Sequence, residues 1–125
     1  MITVTTDPPR KLVHAHMSGF LEVADVAHFA REEQGAVKAM GLKSGEFLLL
    51  VITSECVVQS KEVIAAFQDL VLHSPYKSLR LAIVREGSMG RMQTNRIIRI
   101  REDAAMFETR ADAEAWLFAE GRIAA

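Results

Sequence analysis

The sequence lacks several features that define whole classes of protein. It has one cysteine, Cys56, so no disulfide can form within the chain. Its longest uninterrupted apolar run, residues 47–52, has six residues, far below the roughly 20 that span a bilayer as a helix. The N-terminus has no basic region followed by an apolar segment, so it does not resemble a secretory signal peptide. These absences predict a cytoplasmic protein with no membrane span.

An excess of charge of one sign is also lacking over the whole chain. The 125 residues include 15 basic and 16 acidic side chains, for a net charge of -1. Strong generic attraction to nucleic acid is therefore not expected. Charge is nevertheless uneven along the chain, because residues 77–101 hold seven basic side chains and one acidic one. This segment is predicted to be a distinctly basic region.

The length and composition fit one folded domain. Half of the residues are apolar and a quarter are charged, which is an ordinary profile for a globular domain with a hydrophobic core. The sequence has no internal repeat, low-complexity stretch or linker-like segment. A single domain over residues 1–125 is predicted.

Hydrophobic periodicity predicts the order of strands and helices. Alternating or continuous short apolar runs predict strands, and apolar residues at spacings of three and four predict helices. The predicted strands lie at about residues 2–6, 11–17, 46–53, 78–84 and 105–108, and the predicted helices at about 22–40, from Ser60 to near 73, at about 89–100, and after Thr109. The order β-β-α-β-α-β-α-β-α predicts an α/β single-domain mixed sheet with parallel crossovers.

Three segments together carry a resemblance to a known superfamily. They are the "MSGF" glycine, the strand-helix unit "LLLVITSECVVQSKEVIAAF" and the helix in "GRMQTNR". With the order of elements, they resemble the SpoIIAA-like or STAS superfamily, specifically its bacterial STAS-like branch, which is similar in shape to CRAL-TRIO lipid-binding domains. The resemblance implies a non-enzymatic regulatory module that docks on a protein partner. The alternative that it implies is a small-ligand or lipid-binding domain.

Ser60 stands at the strand-helix junction where the resemblance implies a phosphorylation switch. The family pattern there is approximately D-S-S-G-L, with the phosphate on its second serine. An ungapped match of the pattern's leucine to Ile64 places Ser60 on the aspartate and Glu62 on the acceptor, and a glutamate cannot be phosphorylated. A shift of two residues would make Ser60 the acceptor. From its position alone, Ser60 is predicted to be the N-cap of the helix, where its hydroxyl accepts a bond from an unpaired backbone N–H.

The turn "GSMGR" after the fourth predicted strand raises the hypothesis of an anion or nucleotide site. Two glycines there allow backbone N–H groups to close on an anion, and an arginine supplies positive charge. Ligands bind beyond the carboxyl ends of parallel strands in open sheets, where this turn meets the connection after the third strand. The plain alternative is a turn in which Ser88 is an N-cap. The residues predicted for the site are Ser54, Ser60, Gly87, Ser88, Gly90 and Arg91.

The helix after that turn carries polar residues at every fourth position. Arg91, Asn95 and Arg99 form this stripe. It is interpreted as a solvated helix face, and the alternative is an interaction surface for an acidic partner or an anionic headgroup. An exposed edge strand and apolar helix faces also favour a homodimer.

No set of residues in the sequence indicates catalysis, a metal or a cofactor. His14 and His16 project from one side of a strand, but no third ligand accompanies them, so exposed histidines are predicted. Cys56 lies in a mainly apolar run and is interpreted as a structural thiol. Glu32 and Glu33 are adjacent on a helix and point in different directions, so they are not predicted to act as a pair. The chain is therefore expected not to be an enzyme.

Overall fold

The computed structural model describes residues 1–87 and 90–119 of the chain. It contains five strands, four α-helices and one short 3₁₀-helix in these residues. The elements are β1 (Ile2–Asp7), the 3₁₀-helix (Pro8–Arg10), β2 (Leu12–Gly19), α1 (Val23–Ala39), β3 (Leu48–Cys56), α2 (Lys61–His73), β4 (Arg80–Val84), α3 (Arg91–Ile98), β5 (Ala104–Phe107) and α4 (Arg110–Leu117). The predicted order of elements is confirmed.

The strands form one mixed sheet in the order β1-β2-β3-β4-β5. β1 pairs antiparallel with β2, and the remaining neighbours are parallel. The connection from β1 to β2 is the 3₁₀-helix, whose prolines supply the fixed φ of its first turn. The carboxyl ends of β2, β3, β4 and β5 therefore lie together at one edge of the sheet, which we call the carboxyl edge.

β3 is buried on both faces of the sheet, as its continuous apolar run predicts. Leu49 and Val51 face a core that includes residues of α1, α2 and α3. Leu50 faces a smaller core that includes Ala113 and Leu117 of α4. Three helices thus cover one face of the sheet, and α4 covers the other.

The ends of α1 follow their local sequence signals. Glu22 is the N-cap, and its backbone N–H donates to the Asp25 carboxylate at 2.8 Å in a capping box. Gly41 follows the helix with a φ of 71° and donates to the Lys38 carbonyl at 2.9 Å. This left-handed conformation favours glycine, so Gly41 is suited to the position that follows the helix.

Two large aromatic side chains that pack against the cores are only partly buried. Phe67 packs against the larger core, with its ring centroid 6.5 Å from that of Phe29. Trp116 packs against the smaller core, 5.5 Å from the Phe107 ring. Both lie on the predicted helix faces, but at the margins of the cores, where an aromatic ring covers buried aliphatic side chains and keeps one side in solvent.

Two element boundaries differ from those predicted. β3 continues to Cys56, three residues past its predicted end, because β2 also extends and Gly19 pairs with Cys56. α3 ends at Ile98 instead of residue 100, since Arg99 is already its C-cap. Within the described part of the chain, no helix is both long and apolar enough to cross a membrane.

Candidate functional site

The described residues that were predicted for an anion site lie at or near the carboxyl edge, but on different strands, helices and turns. Ser54 is inside β3 and not in the connection after it, which corrects the sequence-based placement. Gly87 and Gly90 have φ values of 73° and 78°, as a tight turn between β4 and α3 requires. Ser88 lies outside the described residues. Arg91 is the first residue of α3, and its guanidinium pairs with the Glu108 carboxylate at 3.3 Å.

Ser60 is the N-cap of α2, as predicted. Its hydroxyl accepts a hydrogen bond from the Val63 backbone N–H at 3.2 Å. The acidic residue in the first turn of this helix is Glu62, whose charge favours the positive end of the helix dipole. The hydroxyl and this carboxylate together account for the stability of the helix start without a phosphate.

A buried arginine occupies the space between β3 and the turn that follows β4. Arg85 is 4% exposed, and its guanidinium donates to the Thr53 carbonyl. A Cβ atom on Gly90 would lie 3.1 Å from the same guanidinium. Gly90 is therefore required here both by its positive φ and by the close approach of Arg85.

Gln59 joins three segments of the chain at the carboxyl edge through hydrogen bonds. Its side-chain amide donates to the carbonyls of Gly19 and Val57 at 2.9 and 2.6 Å and accepts from the Leu21 N–H at 2.7 Å. Its backbone N–H and carbonyl bind the side-chain amide of Gln93 on α3, at 2.9 and 2.8 Å. Sequence reasoning missed both glutamines, because a lone glutamine carries no pattern that indicates its partner.

A small cavity of about 60 Å³ lies beneath this network. Gly90 lines it, together with Arg85, Gln59 and Cys56, but the other described residues of the predicted anion site do not. Burial raises the pKa of the Cys56 thiol, with Arg85 opposing the shift, so the neutral form of the thiol is favoured. Of the described residues predicted for the anion site, Gly90 alone lines this cavity. The anion site therefore stays a prediction.

The polar stripe on α3 is present, but its members differ in their surroundings. Arg91 is half-buried beside Glu108, whereas Asn95 and Arg99 are exposed. The interaction surface predicted for these three residues stays a prediction. Elsewhere in residues 1–87 and 90–119, no three His, Cys, Asp or Glu side chains are grouped as metal ligands, and His16 contacts Glu55 at 2.9 Å.

The basic segment does not form one basic surface, because part of its charge is buried. Arg80 is 4% exposed and donates to the carbonyls of Trp116, Leu117 and Ala119 at the end of α4. Arg85 is bound to a β3 carbonyl, as described above. Uneven charge along a sequence was therefore an unreliable guide to charge on the surface.

A larger cavity of about 100 Å³ lies between the sheet and helices α1, α2 and α3. Its wall is mainly apolar and comes from both the sheet and the helices. The apolar lining residues are Met17, Phe29, Leu49, Val51, Phe67, Leu70, Val71, Leu81, Ile83 and Ile97. The place and lining of this cavity were not predicted from the sequence, because they depend on how three helices pack on one sheet face.

One carboxyl group, that of Glu33, lines the larger cavity. Glu33 is 4% exposed, although it is charged in ordinary solution, and it lies on the buried face of α1. Burial raises its pKa to about 7, and nearby Arg101 opposes the shift. No hydrogen bond or salt bridge joins the Glu33 carboxyl to another residue in the described part of the chain. Among the residues that the structure describes, it is a buried carboxyl without a hydrogen-bonding partner.

The two cations that line the same cavity are bound elsewhere. Arg101 donates to the Asp103 carboxylate at 2.6 Å and to the Ser78 hydroxyl and carbonyl at 3.1 and 2.7 Å. The Lys77 ammonium donates to the Val71 and Leu72 carbonyls at the end of α2, at 2.8 and 3.0 Å. Neither cation neutralises Glu33 by direct contact.

The sequence indicated that Glu33 is buried. Comparing Glu33 only with its neighbour Glu32 hid this indication. Glu33 lies four residues after Phe29 and four before Val37, in the middle of the apolar stripe of α1. Residues at this spacing share one helix face, so a buried carboxylate could have been predicted. Glu32, in contrast, is exposed beside His28.

The sequence matches no protein-family model and no curated protein. The structure, however, is similar to the crystal structure of an uncharacterized protein of the DUF3478 family, with a SpoIIAA-like fold, from Shewanella loihica PV-4. The TM-score is 0.68 at 21% sequence identity, and the match covers 94% of this chain and 92% of the other. The chain therefore has a SpoIIAA-like α/β fold, as the sequence resemblance implied.

The N-cap role of Ser60 predicts how two substitutions affect stability. Ser60→Ala removes the acceptor for the Val63 N–H and should lower the free energy of unfolding by about 1 kcal/mol. Ser60→Asp should leave stability unchanged, because aspartate caps as well as serine and suits the helix dipole. Urea denaturation followed by circular dichroism measures both. An alanine variant as stable as the wild type would show that the hydroxyl contributes nothing.

The buried carboxyl of Glu33 predicts a pH-dependent difference from Glu33→Gln. The pKa of Glu33 is about 7 in the folded state against an ordinary 4.5, so folding favours its protonated form. The wild type keeps its full stability below pH 4.5 and loses about 3 kcal/mol relative to the variant as the pH rises through about 7. Denaturation at several pH values measures the difference, with the exposed Glu32→Gln as control. A difference that does not change with pH would contradict the prediction.

Proposed function

We propose that this SpoIIAA-like domain is a binding module that takes up a small, largely apolar molecule in the cavity of about 100 Å³ between the sheet and α1, α2 and α3. The observation that carries the proposal is the cavity itself, which has a mainly apolar wall, borders the larger core and is partly open to solvent. Protein interiors are normally close-packed, and an apolar cavity of similar size can remain dry and bind a molecule such as benzene. A ligand would restore the contacts that the lining side chains lack.

The cavity is a better-supported site than the carboxyl-edge anion site. The Arg91 guanidinium is paired with Glu108, and Gly90 packs against the Arg85 guanidinium. An anion would have to displace Glu108 from Arg91 and share the Arg85 guanidinium with Gly90. An apolar molecule in the larger cavity displaces no hydrogen bond, because most of its wall consists of aliphatic and aromatic side chains.

Filling the cavity should abolish uptake of a neutral probe. Val71→Phe adds a ring at a lining position of α2, whereas Leu72→Phe adds it at the neighbouring position, which is 52% exposed. Titration with 1-hexanol, followed by NMR of the backbone amides, should show saturable shifts around the cavity in the wild type and in Leu72→Phe. Val71→Phe should show none. Absence of saturable shifts in the wild type, or equal binding by all three proteins, would refute the proposal.

A second candidate function, a regulatory module that docks on a protein partner, is favoured by an apolar patch at the carboxyl edge. Phe20 follows β2, Val57 and Val58 follow β3, and Met92 is in the first turn of α3, and all four are 48% to 71% exposed. Gln59 and Gln93 hold these three segments together through the hydrogen bonds given above. A cluster of exposed apolar side chains on a braced frame is typical of an interaction site.

Polar substitutions in the patch should reduce partner capture. We expect Val57→Ser with Met92→Ser to lose a protein that co-purifies with the wild type from the native cell. Leu72→Ser with Leu79→Ser is the matched control, because both leucines are exposed but lie near the opposite edge of the sheet. Quantitative mass spectrometry of the captured proteins compares the variants, and sedimentation identifies a homodimer as the partner. Equal capture by both double variants would exclude the patch.

A further inference from the structure

The structure points to a ligand that brings a positive charge into the cavity. We infer that the cavity binds a small, largely apolar molecule that carries one protonated amine, and that the Glu33 carboxylate holds the amine. This inference rests on the proposed function of the cavity and adds the chemical class of its ligand. It depends on the position of Glu33, which is 4% exposed and lines the cavity without a hydrogen-bonding partner among the residues that the structure describes.

A buried carboxylate is costly unless a cation or hydrogen-bond donors compensate for the lost water. Neither cation on the cavity wall hydrogen-bonds to Glu33, since Arg101 is held by Asp103 and Ser78 and acts on Glu33 only at a distance, and Lys77 caps the end of α2. Tyr76 is the remaining titratable residue on the wall. An ammonium group on a ligand would therefore supply the charge and the donors that the protein withholds from Glu33.

The three polar groups of Thr53, Ser74 and Ser78 on the wall already have partners within the protein. The Thr53 hydroxyl donates to the Val84 carbonyl at 3.0 Å, and the Ser74 hydroxyl donates to the Tyr76 carbonyl at 3.0 Å. The Ser78 hydroxyl accepts from Arg101 at 3.1 Å. Glu33 is the acidic residue among those described on the wall, so it can distinguish a cationic head group from a neutral or anionic one.

The charge of the ligand head group decides the order of affinities. An amine meets an opposite charge in an apolar setting, where a charge-assisted hydrogen bond is strong. A carboxylate on an equally long chain meets a like charge in the same setting, which disfavours it. An alcohol lies between them, since it can hydrogen-bond to Glu33 in either protonation state. Because the pKa of Glu33 is about 7, the preference for the amine should strengthen as the pH rises through that value.

Three probes with the same six-carbon chain test the inference: hexylamine, 1-hexanol and hexanoate. At about pH 8, hexylamine should bind the wild type about tenfold more tightly than 1-hexanol, and hexanoate should bind most weakly. Glu33→Gln keeps the shape of the side chain and removes its charge, so it should weaken hexylamine binding by about tenfold and leave 1-hexanol binding within about threefold. Glu32→Gln, an exposed neighbour, should bind all three probes as the wild type does. NMR titrations measure the dissociation constants.

The outcomes separate this inference from the proposed function. If 1-hexanol binds in the cavity but hexylamine binds no more tightly, or if Glu33→Gln leaves hexylamine binding unchanged, the amine assignment is wrong and the apolar cavity remains a ligand site. If hexanoate binds most tightly, Arg101 and not Glu33 selects the head group, and the assignment is also wrong. If no probe binds the wild type, both fail. Binding of 1-hexanol by Glu33→Gln also verifies that this variant is folded.

Discussion

The burial of β3 on both faces is the constraint on which the rest of the structure depends. Leu49 and Val51 face one side of the sheet and Leu50 the other, so each side needs its own cover. α4 is a single short helix and packs closely over the smaller core. The opposite face is covered by three helices, and the larger cavity is the space that remains between them. The same constraint that specifies the fold therefore also creates the candidate ligand site.

Cations bound to backbone carbonyls stabilise the ends of several elements in this fold; Arg80 and Arg85 are buried, and Lys77 is exposed. Arg80 binds carbonyls at the end of α4, Arg85 binds a carbonyl of β3, and Lys77 binds carbonyls at the end of α2. Helix ends leave carbonyl groups without partners, and guanidinium and ammonium groups donate several hydrogen bonds each. Part of the positive charge of residues 77–101 is therefore bound to carbonyl groups within the domain. Glu33 is the contrasting case, because no described residue forms a hydrogen bond or salt bridge with its carboxyl.

The larger cavity and the carboxyl edge are close enough for one to affect the other. The larger cavity and the smaller one beneath Gln59 share Met17, Thr53, Phe67, Thr94 and Ile97 as lining residues. Gln93, which anchors Gln59, lies on α3 next to Thr94. A ligand that displaces α3 or Phe67 would therefore disturb the hydrogen bonds that brace the apolar patch. The two proposed functions are compatible, since uptake of a ligand could regulate docking of a partner.

The sequence by itself determined the elements, their order and the ends of several of them. Period-two and three-to-four apolar spacing specify strands and helices, and local signals such as Ser60 and Gly41 act within a few residues, so they can be recognised without the fold. The extension of β3 to Cys56 required the pairing partner on β2, which is distant in sequence. The cavity, the partners of the buried arginines and the isolation of Glu33 were decided only by the tertiary structure. Each depends on which groups from separate segments come into contact, and periodicity shows that a face is buried but not what lies against it.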